Sequence, residues 1–191
     1  MDHEPSILPS GEIARIARRI DRPVVLVGMM GVGKSSVGKR LAAALGCAFI
    51  DADDAIEQSA QMTIAEIFEH YGEAYFRDGE RRVIARLIET DGHTGVIATG
   101  GGAFCNADTR SLILDRGIAV WLDSDIDTLV DRTTRKDNRP LLRGGDPREI
   151  LTRLRTEREP FYSQAPIHVM GGNGPHMRTV CKVLKGIDAW L

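Results

Sequence analysis

The chain has 191 residues, 42% of them apolar and 27% charged, with a formal net charge of −2. That length suits one compact α/β domain, or a domain plus a small appendage, and 42% apolar is enough for a true core. The near-neutral balance argues against nucleic acid or an anionic membrane as the main partner, so any anion must be recognised by local arginines. No apolar run approaches the roughly 20 residues that a bilayer span needs, and no secretory signal is visible. Cys47, Cys105 and Cys181 are scattered and odd in number. They read as buried thiols in a reducing compartment, which implies a cytoplasmic protein.

In chain order, residues 11–20 come first. Ile13, Ile16, Ala17 and Ile20 fall on one face, which predicts a helix. A basic amphipathic leader is the alternative, and Asp2, Glu4 and Glu12 count against it. Short apolar runs follow at 23–27, 48–50, 95–98, 118–122 and 167–170 and read as strands. Helical patterns lie between them, at about 34–45, 63–71, 75–90, 107–116, 125–135 and 147–159. Thr63-Ile-Ala-Glu66 has the form of a capping box. After Pro175, the residues Val180, Val183, Leu184, Ile187 and Leu191 share one face of a last helix. Near-continuous apolar strands separated by helices predict a parallel sheet covered on both sides: an α/β, three-layer α/β/α fold with five parallel strands. Residues 135–149 break the pattern. They are basic and rich in Gly and Pro, as functional loops often are.

Gly28-Met-Met-Gly31-Val32-Gly33-Lys34-Ser35 fits G-x-x-x-x-G-K-[ST], with a predicted strand before it and a predicted helix after it. Glycines let the backbone curl around phosphate oxygens, and successive N–H groups with the helix N-terminus supply positive potential. Lys34 reaches the β- and γ-phosphates, and the Ser35 hydroxyl completes a magnesium site. A nucleoside triphosphate with Mg²⁺ follows. The receiver of the phosphoryl group does not, because this loop serves kinases, GTPases and motors alike.

Three signals bear on the acceptor. Asp51, Asp53 and Asp54 crowd the C-terminal end of the second strand, the edge where parallel sheets bind ligands. A solvated loop, a metal site and a grip on a hydroxylated substrate all fit them. If strand geometry persists, Asp51 and Asp53 point one way and Asp54 the other, which leaves Asp54 as a helix cap. Gly100-Gly101-Gly102 follows the third strand and permits close approach of backbone N–H groups to a ligand; a plain turn is the alternative. Finally, Arg77, Arg139 and Arg158 stand near acids and aromatics, as carboxylate and phosphate clamps do.

With these motifs in order, the chain resembles the shikimate kinases. The resemblance rests on residues 28–38, Asp51-Ala-Asp53, Phe76-Arg77, Ala98-Thr-Gly-Gly-Gly-Ala103, Arg139-Pro-Leu-Leu142 and Arg158-Glu-Pro-Phe-Tyr162. It covers about 22–191 and leaves 1–21 as an extension. It implies a P-loop kinase fold like that of nucleoside monophosphate kinases, with a shikimate-binding helical segment at about 51–90 and a mobile lid at about 133–149. The implied reaction moves the γ-phosphate of ATP to the 3-hydroxyl of shikimate. Asp53 would hold the acceptor hydroxyls, and Arg77 and Arg158 would pair with its carboxylate. Gly100, Gly101 and Gly102 would add backbone contacts, and Glu80 would steady Arg77. Arg139 would close over the phosphates beside Lys34. Asp51 would join Ser35 in the Mg²⁺ shell. Gly31, Val32, Gly33 and Ser36 would line the phosphates, and Arg132 and the Asn173-Gly-Pro175 turn the adenine. A monomer is implied. Ser36 stands where relatives often carry Thr, and beyond residues 139–142 the lid matches no family pattern residue by residue. Another small-molecule kinase, for gluconate or a nucleoside monophosphate, and a non-catalytic nucleotide switch are the rival readings. The acid pair and the triple glycine suit a polyhydroxylated acid better.

Overall fold

The computed structural model describes residues 8–90, 94–134, 145–172 and 174–191. Within them, the strands are β1 (Val24–Val27), β2 (Phe49–Asp51), β3 (Val96–Ala98), β4 (Ile118–Asp123) and β5 (Ile167–Met170). The helices are α1 (Ser10–Arg19), α2 (Lys34–Leu45), α3 (Ala52–Ala60), α4 (Ile64–Glu89), α5 (Ala107–Arg116), α6 (Ile126–Thr134), α7 (Pro147–Tyr162) and α8 (His176–Trp190). All strands are parallel, in the order β2-β3-β1-β4-β5. Every residue of β3, β1 and β4 is buried, as strands covered on both faces must be. The edge strand β5 alternates instead, with Ile167 and Val169 inward and His168 and Met170 outward. The order reverses direction around β1, so the crevice at the strands' C-terminal ends opens there.

Two sequence expectations change. A helix, α3, starts directly after Asp51, where the alternation argument extends the strand through Asp54. The strand ends at Asp51 because that carboxylate accepts a hydrogen bond from the Asp53 N–H (3.1 Å) and so caps α3. Asp54 is therefore an exposed first-turn residue and not the cap. The two helices expected on either side of residue 72 form one element with a break at Gly72, whose φ of 81° a side-chain-bearing residue rarely adopts. The capping box at the start of α4 forms as expected: the Glu66 N–H donates to the Thr63 hydroxyl and the Thr63 N–H to the Glu66 carboxylate.

The expected amphipathic helix near the N-terminus is α1. Its apolar face joins the main core through Ile16 and the following Ile20. Arg15 and Arg19 both reach Asp188 at the far end of α8, at 2.7 and 2.5 Å. These pairs are exposed, so salt and side-chain entropy leave them little net effect, and burial of Ile16 dominates. Ile16→Ala should lower the unfolding free energy by about 2–5 kcal/mol in chemical denaturation. Asp188→Ala should leave the denaturation midpoint nearly unchanged. The reverse ranking would show that α1 is held by charge.

Candidate functional site

The turn after β1 and the start of α2 form one wall of a cleft of about 1090 Å³. Gly28 has φ 134°, and a Cβ there would sit 2.2 Å from the Leu122 carbonyl oxygen, so the loop passes hard against β4. The Lys34 ammonium folds back and donates to the Gly28 and Met29 carbonyls at 2.7 and 2.9 Å. Those bonds hold a buried cation inside its own loop. Val32 has its side chain in the core and only its backbone on the loop. Arg132, from α6, donates weakly to the Gly31 and Val32 carbonyls (3.4 Å each) and firmly to the Gly172 carbonyl (2.8 Å). It therefore joins the phosphate loop to the turn before α8. Pro175 caps that helix, and the residue that lines the cleft beside Gly33 is its neighbour His176. Sequence reasoning passed over His176; its one signal was adjacency to Pro175. Ser36 lies on the same wall, its carbonyl accepting from Arg40.

The Ser35 hydroxyl donates to Asp51 at 2.5 Å, and the other Asp51 oxygen accepts the Asp53 N–H. One carboxylate thus links the start of α2 to the start of α3. A hydroxyl and a carboxylate side by side are hard oxygen donors, the set that suits Mg²⁺ completed by phosphate and water. Among the described residues no group of three or more His, Cys, Asp or Glu forms a cage for a metal ion.

The opposite end of the cleft is organised around the triple glycine. A Cβ on Gly100 would lie 2.5 Å from Glu80 Oε1 and 3.1 Å from Asp53 Oδ1. One on Gly101 would lie 3.2 Å from Arg158 Nη1. One on Gly102 would lie 2.6–2.8 Å from the guanidinium of Arg77. Successive glycines thus run past two acids, then one arginine, then another. None of the three needs positive φ; side-chain crowding is what demands glycine. Arg77 donates to Glu80 at 2.8 Å and to Glu73 at 3.3 Å, and its guanidinium lies 5.1 Å from the Phe76 ring centre.

The electrostatics of this end are unbalanced. Asp53 is pushed up to about 6, mainly by burial and then by the nearby charges of Asp51 and Glu80, with Lys34 pulling the other way. Burial also raises the Glu80 carboxyl, against the opposing pull of Arg77 and Arg158. Five buried side-chain polar atoms lack a hydrogen-bond partner among the described residues; three of them are Asp53 Oδ1, Glu80 Oε1 and Arg158 Nη1. Buried polar atoms are rarely left so, and this cluster marks a place for a polar guest that offers hydrogen donors to the acids and an acceptor to the arginine.

The structure brings Gly31, Gly33, Lys34, Ser35, Ser36, Asp51, Asp53, Arg77, Glu80, Gly100, Gly101, Gly102, Arg132 and Arg158 onto one cleft. Arg139 and most of the expected lid, along with Asn173, lie outside the described residues.

A family model described as shikimate kinase matches residues 30–187. A shikimate kinase from Novosphingobium aromaticivorans is 64% identical over the full length of both chains. Among solved structures, a shikimate kinase from Acinetobacter baumannii in complex with shikimate superposes with a TM-score of 0.83 at 36% identity, covering 91% of this chain and 97% of that one. A gluconokinase from Sinorhizobium meliloti reaches a TM-score of 0.57 at 18% identity over 90% of this chain and 94% of that one, which shows a shared fold alone. On the family model and the full-length relative, the chain belongs to the shikimate kinase family.

Proposed function

We propose that the chain transfers the γ-phosphate of ATP to the 3-hydroxyl of shikimate, with the residues of this cleft in the following roles. The glycine turn between Asp53, Glu80, Arg158 and Arg77 carries the assignment, because it presents acids for hydroxyls and arginines for a carboxylate within one small volume. Arg77 and Arg158 bind the acceptor carboxylate. The Glu80 carboxylate holds Arg77 in place from the next turn of α4. Gly100, Gly101 and Gly102 keep that space free and offer backbone contacts.

Asp53 holds the reacting hydroxyl and takes its proton as the oxygen attacks phosphorus. The bond from phosphorus to the ADP oxygen breaks in the same displacement. Asp53 suits this role because a carboxyl near 6 is largely ionised at neutral pH yet basic enough to accept a proton. Lys34 and the N–H groups that open α2 draw the transferring phosphoryl into line. Ser35 and Asp51 would hold Mg²⁺, which when bound neutralises charge on the phosphates. Arg132 and the turn at Pro175 border the adenine, and Gly31, Val32, Gly33 and Ser36 border the phosphates. Arg139 is assigned by its family motif to closure over the phosphates, within a lid at about 133–149. A closing lid keeps out water that would otherwise hydrolyse ATP.

The working unit is one kinase domain, residues 22–191, extended by residues 1–21, and it acts as a cytoplasmic monomer. Its net charge of −2 gives no support to a nucleic-acid partner. No helix among the described residues is long and apolar enough to cross a membrane.

Asp53→Asn should fold, bind ATP and lose about 10²–10⁴-fold in turnover. Near-normal turnover would remove Asp53 from proton transfer. The wild-type kcat/KM should fall as pH drops through about 6, where Asp53 takes up its proton. The same shift has a stability consequence. A carboxyl raised from 3.8 to about 6 by folding favours the folded state at low pH, and that advantage is lost as pH rises through 6. Above pH 6 the ionised group costs about 3 kcal/mol of stability. Asp53→Asn should therefore melt higher than wild type at pH 8 without nucleotide, with the gap narrowing as pH falls from about 6 toward 4. A gap independent of pH would contradict the burial argument.

Arg77→Ala should raise KM for shikimate by at least about tenfold, since it removes one of two charged contacts to the carboxylate. KM for ATP should hold steady in the same steady-state assays. A change confined to ATP would contradict the assignment.

A further inference from the structure

Tyr162 is almost wholly buried, at 1% exposure, yet it carries a hydroxyl. A phenylalanine would bury as much apolar surface without the cost of desolvating that hydroxyl. The hydroxyl donates to the carbonyl oxygen of Gly101, the middle residue of the glycine turn. Among the described residues it is the one hydrogen bond joining α7 to that turn. The ring is fixed from the sheet side by Trp121, at a centroid distance of 5.9 Å and an interplanar angle of 30°.

Helix α7 is tied to the sheet at a second point. Arg155 donates to Asp123 at 3.2 Å, and that buried carboxylate at the end of β4 also faces His168 at 3.3 Å. Arg155, Arg158 and Tyr162 are spaced i, i+3 and i+7 and so share one face of α7. Arg158 therefore hangs between two anchors, one turn from each. Pro160 lies inside the same stretch of helix. It has no N–H to return to the preceding turn, so the helix alone holds this segment less firmly. The Arg158 guanidinium has little slack, because Gly101 lies against it closely enough that even a Cβ would stand 3.2 Å away.

We propose that Tyr162 is a positioning residue of the acceptor site: its hydroxyl pins Gly101 so that Arg158 is held at the acceptor carboxylate. This inference rests on the assignment of Arg158 to that carboxylate. Without the hydroxyl, the Gly101 carbonyl loses its partner and the turn relaxes against the arginine.

The test compares Tyr162→Phe, Arg158→Ala and the double variant in steady-state kinetics and thermal unfolding. Tyr162→Phe should raise KM for shikimate about tenfold, the effect of losing one well-placed hydrogen bond next to a charge. Its kcat should stay within about twofold and its KM for ATP should not move, since the change acts on acceptor binding alone. In the Arg158→Ala background the same substitution should add little, because the tyrosine acts through the arginine. With shikimate methyl ester, which lacks the anionic carboxylate, wild type and Tyr162→Phe should have nearly equal KM.

An unchanged KM for shikimate, an equal rise for ATP, or full additivity with Arg158→Ala would each overturn the inference while leaving the role of Arg158 intact. An Arg158→Ala variant with wild-type KM for shikimate would overturn the carboxylate assignment, and the inference with it.

Discussion

A turn without side chains holds the acceptor end of this cleft open. Gly100, Gly101 and Gly102 occupy positions where any Cβ would press on Glu80, Asp53, Arg158 or Arg77. Two acids from α3 and α4, and two arginines from α4 and α7, can converge there only because the strand that ends beneath them is followed by bare backbone. An alanine at Gly102 would meet a guanidinium at 2.6 Å, and the arginine would have to move. The charged side chains and the glycines are therefore one construction and not separate features.

That construction is electrically unbalanced. Asp53 is raised by burial and by its acidic neighbours, and Glu80 is raised despite an arginine on one side. Polar atoms left without partners in a buried place cost stability, and functional sites concentrate that cost. The phosphate-loop end differs in kind. There, backbone carbonyls satisfy Lys34, and Asp51 is bonded on both of its oxygens. Asp51 also joins the two ends, since it touches Ser35 with one oxygen and the Asp53 backbone with the other. The phosphate loop and Asp53 are thereby held in one frame, as the proposed in-line transfer requires.

What could be read from the sequence was whatever depends on neighbours along the chain. The phosphate loop was legible because its strand, glycines and helix are consecutive. The five strands were legible as apolar runs, and the break at Gly72 showed as a gap between two helical patterns. Strand alternation continued past Asp51 misplaces the start of α3. An aspartate followed by two acids in a helical first turn is a capping signal that the local sequence carries. The match of each glycine with its own charged partner was not legible. It depends on α4 and α7 arriving at the same turn from 20 to 60 residues away in sequence. Tyr162 falls in the motif at residues 158–162, but its contact was not legible, because its hydrogen-bond partner is 61 residues away.

The account stands on the claim that the glycine-threaded cluster selects a hydroxylated carboxylate as phosphoryl acceptor. The most direct measurement is ADP release from ATP and Mg²⁺ with shikimate, gluconate or a nucleoside monophosphate supplied in turn. The account predicts a large rise over the background ATPase rate with shikimate and little with the other two. No rise with shikimate, or a greater one with gluconate or a nucleotide, would contradict it.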